Sequence, residues 1–238
     1  MPGTRQTRQS LRQTVVEGIK GYILDNRLRP GDPLPTEPEL CQALGASRSS
    51  VREAVKVLNA LDIVEVRHGH GTFVGRLSLS ALVESLTFRG LLSVEDDVQV
   101  LSDLIDVREL FEHGMADRIV AALDERQLDA LDAVVSDMKA QADSDSVSTA
   151  LVGADRDFHA LLVAPLHNDL IAQLSLAFWD VYAVVAPHLH GFGPEEAAEA
   201  AAAHKEIVEA ARAGDLDRFR AAVTAHYAPV RSRLAAAG

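Results

Sequence analysis

The chain is 238 residues long, 47% hydrophobic and 5% aromatic, with one cysteine and a formal net charge of −12. The lone Cys41 excludes an intrachain disulfide and fits a reducing compartment. No apolar run of about 18 residues is present, which excludes a membrane-spanning helix. The N-terminal MPGTRQTRQ is basic and polar and lacks the apolar core of a signal peptide, so the expected location is the cytoplasm.

Charge is unevenly distributed. Residues 1–76 hold 11 Lys+Arg against 8 Asp+Glu, a balance of +3, whereas residues 77–238 hold 12 against 27, a balance of −15. A mildly basic front and an acidic back suggest two modules, of which only the front suits phosphate.

In chain order, Leu11, Val15, Ile19 and Ile23 recur every four residues and predict an amphipathic helix ending near Asn26. Arg29-Pro30-Gly31-Asp32-Pro33 is turn chemistry. Thr36 with Glu39 forms a capping box, and Pro38 falls in the first turn of a helix from about Glu37 to Leu44. Gly45 ends it, and Ser47 caps a third helix from about Arg48 to Leu61. That pair is a helix-turn-helix. Ile63–Val66 and Thr72–Val74 alternate like strands around the turn His68-Gly69-His70-Gly71, giving a wing. Gly75–Ser80 reads as a linker.

Helices are then expected at Leu79–Leu91, Val98–Leu123, Glu125–Ala142, Ala150–Ala164, Asp169–Ala186, Glu195–Ala213 and Leu216–Leu234. Loops fall at Asp143–Ser146 and Pro187–Pro194. Gly214 and Asp215 divide the last two helices, and Pro229 should kink or end the final one. The fold class is mostly α. It comprises a winged helix-turn-helix at residues 8–76 and a seven-helix antiparallel bundle at residues 77–238.

In order and spacing, LRPGDPLPTEPELCQALG, ASRSSVREAVKVLNALDIVEV and RHGHGTFVG resemble the DNA-binding domain of the GntR family of bacterial transcription regulators. VRELFEHGMA, DRDFHALLV, HKEIVEAARAGDLDRF and His226 resemble the FadR-type effector and dimerisation domain called FCD. The helix at Leu79–Leu91 favours the seven-helix FadR branch.

At the recognition helix, Arg48 is suited to bond guanine O6 and N7 together. Ser47, Ser49 and Ser50 allow close approach to phosphate, and Arg52 would contact phosphate or a second base. The resemblance places His68 and Gly69 of the wing in the minor groove. Many relatives carry Arg where this chain has Pro38, so the resemblance implies a different operator preference if that DNA contact is missing.

In the acidic half, Asp155 and His159 lie at i,i+4 on one helix face. His204 and His226 sit about ten residues either side of the Gly214-Asp215 turn, so they can meet at one level of the bundle. The four match the FCD metal motif. The resemblance implies a divalent transition metal, Zn²⁺, Ni²⁺, Mn²⁺ or Fe²⁺, with open positions for a ligand. His113, His167, His188 and His190 read as surface or supporting residues. Arg108 and Glu112 resemble the family's effector-binding Arg-x-x-x-Glu, and an inward Arg suits a small carboxylate such as a sugar acid or hydroxy acid.

The expected protein is not an enzyme but a homodimeric regulator, a repressor in the commonest case. It binds a palindromic DNA operator, and the effector releases it. The alternatives are a metal-dependent enzyme and a DNA-binding regulator whose metal is purely structural.

Overall fold

The structure, a computed structural model, describes residues 3–93, 99–142, 147–185 and 194–237. It divides into two units, Met1–Ala81 and Leu82–Gly238.

The first unit contains α1 (Gly3–Asp25), α2 (Glu37–Leu44), α3 (Arg48–Ala60), β1 (Val64–Arg67) and β2 (Gly71–Val74). Val15, Val16, Ile19 and Ile23 of α1 are buried against Leu40, Val51, Ala54, Val55 and Leu58, so the expected apolar stripe is the core face of α1. Glu39 returns to the start of α2, its carboxylate accepting from the Thr36 N–H and hydroxyl at 2.8 Å each. Gly45 stops α2 in the left-handed region, and Ser47 Oγ accepts the Ser50 N–H at 3.2 Å.

Helix α3 ends without glycine. Asp62 takes φ 54°, Asp62 N–H bonds Asn59 O, and Ile63 N–H bonds Leu58 O. This Schellman closure uses Ile63, which is why β1 begins one residue later than the alternation suggests. β1 and β2 pair antiparallel, Val64 opposite Val74 and Arg67 opposite Gly71. The other edge of β2 is held by the α1–α2 loop, through Leu34 N–H to Thr72 O, Gly31 N–H to Val74 O and Val74 N–H to Asp32 O.

The second unit has, among the described residues, seven α-helices: α4 (Ser80–Ser93), α5 (Gln99–Ala122), α6 (Glu125–Ala142), α7 (Val147–Val163), α8 (Asp169–Val185), α9 (Pro194–Ala213) and α10 (Leu216–Ala237). A 3₁₀ turn, Ala164–Leu166, follows α7. The expected loops at 143–146 and 187–193, and with them His188 and His190, lie outside the described residues. Packing pairs α6 with α9 and α7, α10 with α9 and α5, and α8 with α7 and α5. Phe158, Leu162, Trp179, Ile207, Phe219 and Tyr227 are among the buried side chains of this core.

The α9–α10 corner is a Schellman motif. Asp215 N–H bonds Ala210 O, Gly214 N–H bonds Ala211 O, and Gly214 has φ 66°. Asp215 then caps α10 by accepting the Arg218 N–H at 3.0 Å. One expectation needs correcting in part. Pro229 does not end the last helix, because α10 runs through it to Ala237. A proline deletes one N–H and crowds the carbonyl four residues back, and burial of Tyr227, Val230 and Leu234 holds the helix in place.

Two glycines of the first unit should respond oppositely to alanine. A Cβ on Gly75 would lie 2.1 Å from Asp62 O, whereas on Gly21 it meets nothing within 4 Å. Gly75→Ala should destabilise this unit by about 1–3 kcal/mol. Gly21→Ala, in a helix interior, should stabilise it by about 0.5–1 kcal/mol. Amide hydrogen exchange of α3 and the wing reads both; equal protection in the two variants would contradict the packing.

Candidate metal centre and nucleic-acid interface

Asp155, His159, His204 and His226 converge in the second unit, each offering a ligand atom, all within 4.8 Å of one another. Asp155 and His159 come from α7, His204 from α9 and His226 from α10. His204 Nε2 lies 2.8 Å from Asp155 Oδ1, His159 Nε2 lies 3.3 Å from the same oxygen, and His159 Nε2 and His226 Nε2 are 3.2 Å apart. Donors sharing one ion at about 2.1 Å lie about 3.0–3.4 Å from each other, so these spacings fit a common cation. The i,i+4 pair and the corner argument are both realised, with the His204 and His226 rings 4.3 Å apart.

Hydrogen placement supports the same fit. His204 Nδ1 is 2.7 Å from Ala200 O, which can only accept. The ring proton is therefore on Nδ1, and in the neutral ring Nε2 turns a lone pair towards Asp155. His159 Nδ1 faces Glu112 Oε1 at 2.5 Å, an off-line ion-pair contact rather than an aligned hydrogen bond. Again the partner is acceptor-only, which leaves Nε2 directed inward. Bare nitrogens against a carboxylate repel unless a proton or metal lies between them, and carbonyl or carboxylate partners on the outer nitrogen are the usual support of metal-binding imidazoles.

The electrostatics follow from burial. For His159, burial works to lower the pKa, but Glu112 and Asp155 overturn this and raise it to about 8. His226 is pushed well below the ordinary histidine range by burial and by the His204 ring. Burial works to raise the carboxyls; His204 and His159 nevertheless hold Asp155 well below its ordinary range, and His159 and Arg108 hold Glu112 below its own.

Arg108 and Glu112 of α5 are both buried at 3% exposure. They part company in role. Arg108 stacks over Trp179, its Cζ 3.8 Å from the ring centroid, and lines a cavity of about 50 Å³ shared with Asp155, His204 and His226. Its buried Nη2 has no hydrogen-bond partner. Glu112 is turned to His159 instead. Trp179, Tyr182, Tyr227 and Arg233 also line the cavity, and the sequence reading did not single them out for the site. Aromatic residues in an apolar helix read as core. Arg233 carried a usable signal, because it sits seven residues after His226 on the same helix. His113 bonds Thr224 Oγ1 at 2.9 Å, and His167 caps the 3₁₀ turn with φ 48°.

In the first unit, α3 buries Val51, Ala54, Val55 and Leu58 and exposes Arg48, Ser49, Arg52 and Lys56. Ser47 Oγ is 2.9 Å from both Ser49 Oγ and Ser50 Oγ. Arg48 has no hydrogen-bond or ion-pair partner among the described residues. Arg52 Nε instead bonds Glu37 of α2, at 2.8 Å to Oε2 and 3.1 Å to Oε1. The neighbouring Glu53 pairs with Lys56 at 2.9 Å. At the wing tip, His70 N–H bonds Arg67 O and Gly69 takes φ 74°. The wing's Arg67 lies 4.2 Å over the Phe73 ring.

The bacterial regulatory protein pattern of the gntR family matches residues 11–74, and the FCD domain pattern matches residues 103–229. The chain is 30% identical over 153 residues to the HTH-type transcriptional regulator LutR of Bacillus subtilis, covering 64% of this chain and 66% of LutR. It is 26% identical over 163 residues to the galactonate operon transcriptional repressor of Escherichia coli, covering 68% of this chain and 70% of that one. It thus spans just under two thirds of LutR. The solved structure of Streptococcus agalactiae GntR superposes with a TM-score of 0.57 at 25% identity, over 93% of this chain and 99% of that one. No described helix is long and apolar enough to cross a membrane. The chain belongs to the GntR family of bacterial regulatory proteins and is a DNA-binding transcription regulator whose second unit is an FCD domain.

Proposed function

We propose that this regulator acts in the cytoplasm as a homodimeric repressor on a palindromic operator and is released by a small organic acid bound at a metal in the FCD domain. The observation that carries the reading is the single cavity that joins Asp155, His204 and His226 to the buried, unpartnered Nη2 of Arg108. Asp155, His159, His204 and His226 would hold the divalent transition metal. When bound, it supplies open positions for carboxylate or hydroxyl oxygens. Arg108 offers its fork to the acid's carboxylate, and Trp179 keeps the guanidinium flat in place. Glu112 holds the His159 ring rather than touching the acid. The cavity's size favours a short hydroxy acid, and the name of the galactonate operon relative keeps a sugar acid in the panel to be tested.

In the first unit, Arg48 is the base reader, with Ser47, Ser49 and Ser50 at the phosphates and His68 and Gly69 at the minor groove. A two-fold dimer matches two half-sites. Acid binding would favour one arrangement of the bundle helices over another and so weaken the hold on DNA.

Arg48→Ala should abolish specific binding to a duplex selected from a random pool by the wild-type protein, a loss of about 1–3 kcal/mol or more, read by fluorescence anisotropy. Unchanged affinity removes Arg48 from the interface. Calorimetry with a panel of hydroxy and sugar acids should give binding on metal-loaded protein. It should give none on chelator-treated protein, and strongly reduced binding to Arg108→Lys, which keeps the charge but not the fork. Binding indifferent to metal would overturn the site.

The metal-free protein should show a stability maximum near pH 6.5. His159 is raised from 6.5 to about 8. Its contribution, about 2 kcal/mol, is fully present below pH 6.5 and is lost as pH rises through 8. His226 is depressed, so its contribution is present above pH 6.5 and is lost as pH falls. Melting temperatures of chelator-treated protein across pH 5–9 test this. The falling limb between 6.5 and 8 should flatten in His159→Gln, and stability that climbs through that window would contradict the pairing.

A further inference from the structure

The Arg52–Glu37 contact joins the recognition helix to the helix in front of it, and it has a directional consequence. Both side chains are on the surface, with 63% and 37% of their area exposed. Glu37 stands at the first position of α2, and its carboxylate takes only the Nε edge of the guanidinium, with both oxygens. No hydrogen bond to Nη1 or Nη2 is found among the described residues. Arg52 lies one turn after Arg48, so the two guanidiniums share the exposed face of α3.

We propose that Glu37 is a specificity-determining positioning residue. It fixes the Arg52 guanidinium so that the Nη1–Nη2 edge, rather than a freely rotating cation, is presented to a guanine edge in the major groove. Three physical points support this. A guanidinium has two bidentate edges, and occupying Nε leaves only the terminal one for the pair guanine O6 and N7. A carboxylate beside Arg52 cancels much of its field, which weakens its attraction for a fully charged phosphate more than its hydrogen bonds to a neutral base edge. Helix α2 itself, EPELCQAL, holds no cation for phosphate, and Glu39 is engaged with Thr36.

The competing reading is that Glu37 merely favours the positive end of the α2 dipole. The test uses the full-length protein, a duplex selected by the wild type from a random pool, and a scrambled duplex of the same composition. Glu37→Gln should lower the ratio of selected to scrambled affinity at least fivefold while raising affinity for the scrambled duplex. Arg52→Lys, which keeps the charge and loses the fork, should lower the ratio similarly. The salt dependence on the selected duplex should stay the same in Arg52→Lys. If Arg52 is a phosphate anchor, Glu37→Gln strengthens both duplexes equally, Arg52→Lys leaves the ratio intact, and the proposal falls. A ratio unchanged in Glu37→Gln also overturns it, whatever the melting temperature does. Arg48→Ala is run alongside. Loss of binding there with no effect of Glu37→Gln rejects the role of Glu37 alone, whereas no effect of either rejects this face of α3 as the reading surface.

Discussion

Two imidazole Nε2 atoms turned towards one partly buried carboxylate, that of Asp155, are the arrangement on which the second unit depends. His204 Nδ1 is committed to the Ala200 carbonyl and His159 Nδ1 to Glu112. With both rings neutral, each Nε2 would meet Asp155 Oδ1 as acceptor against acceptor. With His159 fully buried and His204 at 1% exposure, little water reaches the two nitrogens to dilute that repulsion. A buried charged cluster costs several kcal/mol per ion unless it is compensated. Protonation of His159 is one compensation, visible in its raised pKa. A divalent cation is a more complete one, because it accepts all four donors at once.

The bundle is arranged to bring this about. The donors lie on α7, α9 and α10, and the groups that orient or complete the pocket lie on α5, α8 and α10. No single helix could form the site, and a change in the packing of any of the five helices is felt at the donors. Phe158 shows how closely site and core are interleaved. It precedes His159 on α7, is fully buried, and meets both the His159 and His204 rings edge-on, at 5.4 and 4.6 Å. A ligand that draws Arg108 or the donors even slightly works directly on close-packed interior, and such interiors respond by switching between packings rather than by bending.

Much of this was legible in the sequence because short-range rules governed it. The four-residue spacing of Val15, Ile19 and Ile23, the capping pair Thr36/Glu39 and the corner Gly214-Asp215 each act within one or two helical turns. The resemblance then joined the i,i+4 pair Asp155/His159 to His204 and His226. What stayed hidden depended on which partner a side chain chose among several. Glu112 could have faced the ligand or a histidine, and the fold turns it to His159. Arg52 could have met Glu53 beside it, yet Glu53 goes to Lys56 and Arg52 reaches Glu37, fifteen positions earlier. Pro229 could have broken α10, but burial of Tyr227, Val230 and Leu234 outweighs one missing hydrogen bond. These are tertiary choices, and periodicity does not encode them.

The same choice of partners explains how a chain of net charge −12 can read DNA. Total charge governs long-range steering, and screening confines that influence to roughly 8 Å at physiological salt. Within that distance of α3, sign and orientation decide. Arg48 is exposed and has no hydrogen-bond or ion-pair partner among the described residues. Glu53 and Glu37, which would otherwise repel the duplex, are each occupied by a cation, Lys56 and Arg52 respectively. The serine cap keeps the helix front small, with Ser47 knitting Ser49 and Ser50 together at 2.9 Å. The face is thus nearly neutral in sum but strongly ordered in geometry. Such a surface would gain little from phosphate alone, and on the proposed reading it would depend on base edges for its affinity, which is the condition for a reader that must ignore most of the genome.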